Sequence, residues 1–191
     1  MILPAVVLVL LVSVPLAGGR LGRLAELHVR AVWAVACSIA LQLLIVDVAA
    51  SFFPSAVASG LHLASYALVG WFVVANRRIR GLWIVASGGA MNLAAIVANH
   101  GVMPASPAAA RRAGLVMIAG EFANSAPTAH ARLGFLGDVF AVPAGWPLAN
   151  VFSAGDVVLV IGLGVVVHSA CGSRLARRGR APAAPAHQSP N

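Results

Sequence analysis

The sequence predicts an all-α integral membrane bundle of five transmembrane helices, with one long external loop segment between the fourth and fifth, on three observations. Of 191 residues, 60% are hydrophobic and 9% are charged, against about a quarter charged in an ordinary soluble domain. The apolar residues gather into five runs. The thirteen basic residues are all arginine and stand in alternating density beside those runs. Thirteen arginines and five acids are too few to clothe a globule of this size, so this reading sets most of the exterior against lipid and excludes a water-soluble enzyme.

The runs are Met1–Ala17, Ala31–Phe53, Leu61–Ala75, Leu82–Ala98 and Ser153–Cys171, against about 17 to 25 residues for a helix that crosses the hydrocarbon. The third borrows Gly60 and Asn76 to reach that length. The spans make a single domain over residues 1–171, with 99–152 external. The Arg-rich, then Pro/Ala-rich end at 172–191 has no apolar period and is expected to be a disordered cytoplasmic tail.

Arg20, Arg23 and Arg30 follow the first run, Arg77, Arg78 and Arg80 the third, and Arg174, Arg177, Arg178 and Arg180 the fifth. Positive charge retained on the cytoplasmic side puts the N-terminus outside and the C-terminus inside, in a bacterial inner membrane. Trp33, Trp71 and Trp83 then fall at cytoplasmic helix ends, at headgroup level. Arginines beside apolar runs set orientation and form no phosphate-reading patch, so nucleic acid is not an expected partner; membrane lipid, a membrane-embedded peptide or another membrane protein is.

Ala86, Ala90, Ala94 and Ala98 recur every four residues and predict a close helix contact, as do Gly162 and Gly164. Cys37 and Cys171 lack metal or disulfide spacing and are expected to be packing residues.

Ionisable and amide groups at membrane depth are costly and mark candidate sites. Asp47 in the second span, Asn92 and Asn99 seven residues apart on the fourth, Asp138 in the external segment, and Ser153 and Asp156 at the fifth all point to the outer leaflet. Ser153-Ala-Gly-Asp156 also fits a helix-capping pattern, Asp138 a turn, and Asp47 a buried acid held by a neighbouring helix. His100 and His130 could join Asp138 and Asp156 around zinc or manganese, but lone loop histidines are more often solvated than ligating. His62 and His168 are pore or proton-relay candidates, or plain interfacial residues. No nucleotide loop or metalloprotease motif is present, and no cofactor or metal is expected.

NLAAIVANHGVMP at 92–104, LGDVFAVP at 136–143 and NVFSAGDVVLVIG at 150–162 resemble an uncharacterised family of small bacterial multi-pass membrane proteins. More distantly, Phe152-Ser153-Ala154-Gly155-Asp156 is similar to the F-N-x-A-D of lipoprotein signal peptidase, a membrane aspartyl protease. Leu136-Gly137-Asp138-Val139-Phe140 resembles its V-V-D-F, and Gly88-Gly89-Ala90-Met91-Asn92-Leu93 its G-G-A-x-x-N-L. Ala95 and Ile96 replace an acid and an arginine of that pattern, and Ser153 replaces its asparagine. The resemblance implies a catalytic pair, Asp138 and Asp156, supported by Asp47, Asn92, Asn99 and Ser153. A small transporter and a membrane scaffold are the other readings.

Overall fold

The computed structural model describes residues 2–45, 55–115, 125–127 and 131–177. Asp47, His130 and most of the tail lie outside them. The helices are α1 (Ile2–Leu16), α2 (Val32–Leu44), α3 (Ser55–Ala75), α4 (Leu82–Ala98), α5 (Pro107–Ala113), α6 (Ala154–Ala170) and the single turn α7 (Arg174–Arg177). Short strands β1 (Met103–Ala105) and β2 (Ser125–Pro127) pair in parallel; β3 (Phe140–Val142) and β4 (Asn150–Phe152) pair antiparallel.

Helices occupy parts of all five apolar runs, yet among the described residues none is long and apolar enough to cross a membrane. This overturns the five-span membrane bundle and the inner-membrane location. The cause is where the chain turns. The 15 residues of α1 and the 17 each of α4 and α6 rise about 22 to 26 Å, below or at the very bottom of what a crossing helix needs. Gly81, at φ +90°, starts α4, and the Ser153–Asp156 capping box starts α6. At 21 residues α3 is longer, but it carries His62, Ser65 and Tyr66 around its middle. Trp33, Trp71 and Trp83 are exposed.

The most extensive packing is between α4 and α6, then between α2 and α3. Glycines set the first contact. A Cβ on Gly88 would lie 2.6 Å from the Gly155 carbonyl oxygen, and one on Gly162 2.5 Å from the Val85 nitrogen, so two backbones meet where any side chain would intrude. The buried face of α4 is Leu82, Gly88, Asn92, Ala95 and Ile96. It is not the alanine stripe, of which Ala90 and Ala94 are exposed.

Three small apolar clusters carry most of the core. Val14, Val167 and Cys171 join α1 to α6; Ala95, Ile96 and Met103 join α4 to β1, with Tyr66 against them; Ala109, Ala113 and Val151 seat α5 on the β3–β4 hairpin. Cys37 is exposed rather than packed. Polar clamps fix the connections. The Asn76 side chain donates to the Arg30 carbonyl and accepts from the Arg30 N–H, both at 2.8 Å. His168 is 8% exposed, inside the α1–α6–α7 junction rather than at an interface, with its ring nitrogens 3.0 Å from Ser13 Oγ and 2.8 Å from Ser173 Oγ.

Candidate functional site

Ser153 has extended backbone and its Oγ accepts the Asp156 N–H at 3.0 Å, while Asp156 Oδ2 accepts the Ser153 N–H at 2.9 Å. This reciprocal closure satisfies two donors that a helix start leaves without intrahelical partners. Asn92 extends it to a second helix: its Nδ2 donates to Asp156 Oδ1 at 2.8 Å, and its Oδ1 accepts from Ser153 Oγ at 2.9 Å. Gly155 lies between them, because a Cβ there would overlap the Asn92 amide. Ser153 is wholly buried and Asp156 partly so.

Asp138 arrives from another direction. Its N–H donates to the Pro104 carbonyl at 2.9 Å and its carbonyl accepts from Ser106 N at 3.0 Å, so it extends the edge of β1 as a bridge partner of Ala105. Gly137 permits that approach, since a Cβ would strike the Pro104 carbonyl. Asp138 is 6% exposed, too enclosed for a simple surface turn.

Asp138 and Asp156 line one cavity of about 840 Å³, together with Gln42, His62, Tyr66 and Asn92. Its remaining wall is mainly apolar and includes Ile96, Met103, Val142 and Val151. This size and mix of an apolar wall with a few polar groups is the usual form of a ligand site. Burial first, and then the negative charge of Asp156, push the Tyr66 phenol up to about 12. Burial lowers the pKa of His62 from its ordinary value, against an opposing hydrogen bond to the Gly101 backbone. His62 and Tyr66 rings lie 5.6 Å apart between centroids, tilted by 35°.

Of the residues singled out from sequence, Asn92, Ser153 and Asp156 are joined directly, and Asp138 shares the cavity wall with Asn92 and Asp156. Asn99 stands apart. Its side chain donates to the Ala95 and Arg132 carbonyls and accepts the Arg132 N–H at 3.0 Å, pinning the segment that leads to Asp138. Asp47 lies outside the described residues. Among those residues no group of three or more His, Cys, Asp or Glu side chains is placed to hold a metal ion. Gln42, Tyr66 and Asn150 line the cavity without having been singled out, and His62, a pore or proton-relay candidate or a plain interfacial residue by sequence, joins them. His62 and Tyr66 are spaced i, i+4 on one helix face, which was the available signal.

No curated protein and no solved structure matches the chain. A family model does, over residues 26–168, a stretch that takes in every polar residue of the cavity wall. The chain belongs to DUF5317, a family of unknown function.

Proposed function

We propose that the cavity is a paired-carboxylate hydrolytic site that cleaves an amide bond in an apolar peptide segment, with Asp138 and Asp156 as the acting acids. The observation that carries this reading is their presence, from separate parts of the fold, on the wall of one mainly apolar cavity. The likeness of the segments around them to lipoprotein signal peptidase supports it independently.

Asp156, whose oxygens accept N–H donors from Asn92 and Ser153, takes the base role. It removes a proton from water as the water oxygen bonds to the amide carbon. Asp138 gives its proton to the departing nitrogen as the C–N bond breaks, so one water is consumed and one proton has crossed the pair. Asn92 positions Asp156, and the apolar wall takes up the side chains of the peptide.

The test is cleavage of a pool of apolar peptides by the intact protein, read by mass spectrometry. Asp138→Asn and Asp156→Asn are each expected to slow cleavage by about 10²- to 10⁴-fold. Full activity in folded Asp138→Asn overturns the reading.

A second reading has its own observation: both Asp156 oxygens already accept hydrogen bonds, one from Asn92 of the neighbouring helix and one from the cap of its own. On that reading the carboxylate is structural and the cavity binds without reacting. Peptides would then raise the melting temperature with no product formed.

A further inference from the structure

We propose that His62 selects what the cavity holds, its Nδ1 accepting a hydrogen bond from a backbone N–H of the bound peptide. The inference takes the peptide class of the ligand from the reading above. The requirement for a donor comes from the ring.

His62 is 6% exposed and lines the cavity. Among the described residues, its Nδ1 is a buried side-chain atom with no hydrogen-bond partner. Buried polar atoms are nearly always partnered, so this enclosed atom on a wall residue calls for an explanation, and a turn of the ring brings it to a ligand in the cavity. The fold can satisfy a buried histidine, since His168, 8% exposed, has a serine hydroxyl at each ring nitrogen.

Two side-chain donors of this region are committed elsewhere. Ser65 Oγ donates to the His62 carbonyl at 2.6 Å, and Gln42 Nε2 donates to Ser65 Oγ at 3.1 Å. Burial favours the neutral ring, which keeps a nitrogen lone pair as an acceptor. Much of the wall is apolar, with Ile96, Met103 and Val151 among its residues, so a bound amide N–H depends on the few acceptors it can reach. A ligand with an N–H at this position therefore completes a pairing on both sides, and one without it leaves both groups unmatched.

The experiment uses the intact protein and a fluorescent heptapeptide of Leu, Val and Ala, with a series in which each backbone amide in turn is N-methylated. Binding is read by anisotropy and cleavage by mass spectrometry in the same samples. Methylation at one position is expected to weaken binding by about 10- to 100-fold. His62→Phe, which keeps a ring and removes the acceptor, is expected to abolish that sensitivity. In the wild type, the ¹⁵N resonance of His62 Nδ1 is expected to move with the parent peptide and not with the one methylated at the sensitive position.

Binding with His62-dependent discrimination but no cleavage removes the hydrolytic reading and supports the role of His62. Cleavage without a sensitive position, undiminished sensitivity in folded His62→Phe, or failure of every peptide to bind overturns that role. An unmoved Nδ1 resonance overturns it even where His62→Phe fails to fold.

Discussion

Asn92 and Asp156, 64 residues apart, are joined by a 2.8 Å amide-to-carboxylate hydrogen bond, and this bond makes the start of one helix depend on the middle of another. A capping box is ordinarily a local device, closed within four residues. Here the Asn92 amide grips both its members and fixes the register of α6 against α4.

Replacing Asn92 by Ala is therefore expected to leave Ser153 Oγ and Asp156 Oδ1 without these partners, at a cost of about 1–3 kcal/mol in unfolding free energy. Ser153→Ala is expected to cost about 1–2 kcal/mol through the lost cap. Chemical denaturation measures both. Wild-type stability in either variant would detach the network from the stability of the fold.

The glycines between α4 and α6 give a graded test. Gly88→Ala, Gly155→Ala and Gly162→Ala each insert a methyl group where backbone or amide atoms already stand, and each is expected to destabilise by about 1–3 kcal/mol. Gly89 has nothing within 4 Å of an added Cβ, so Gly89→Ala is expected to stabilise by about 0.5–1 kcal/mol through helix propensity. Thermal melts of the four variants should show opposite signs for adjacent residues 88 and 89.

Tyr66 is the only tyrosine in the chain, so tyrosinate absorbance reports it alone. The folded protein is expected to titrate near pH 12, against the ordinary value of 10.0, and denaturant should bring the midpoint down. Asp156→Asn should also lower it by removing a neighbouring negative charge. With the folded value raised, the stabilisation linked to the protonated phenol is complete below pH 10 and is lost as pH rises through 12. Tyr66→Phe should flatten that alkaline decline.

The Asn99 clamp on Arg132 predicts a local effect. Asn99→Ala is expected to quicken amide exchange at Arg132 by about tenfold, while exchange within α6 stays as in the wild type. Hydrogen exchange read by mass spectrometry or NMR distinguishes this from global loosening.

The helices and the capping box were legible because their signals are local: apolar runs bounded by Gly, Pro and Asn, and a Ser-x-x-Asp pattern. Assigning the apolar excess to lipid was a different step. It rested on composition and run length, whereas α4 is no longer than its run, which starts after Gly81, and α6 starts after the Ser153 cap and stops just within its own. The alanine stripe misled because four-residue spacing fixes a face and not its partner; the glycine face lay on the same helix. Asn92 and Asp156 could be placed at one level by counting turns, but the hydrogen bond between them follows from helix adjacency, which hydropathy does not encode. Asn99 shares that level and faces a loop. Tyr66 carried no motif, and its four-residue spacing from His62 is shared by many core pairs.

The cavity wall draws on the chain from Val6 to Ile161, so a molecule seated there touches nearly every folded element at once and has no counterpart surface in the unfolded chain. Occupancy and global folding are thereby linked by mass action, and a compound present at 100 times its dissociation constant should add about 2.7 kcal/mol to unfolding. Melting temperature then becomes an assay that needs no turnover, and a screen by thermal shift can find ligands before the chemistry is known.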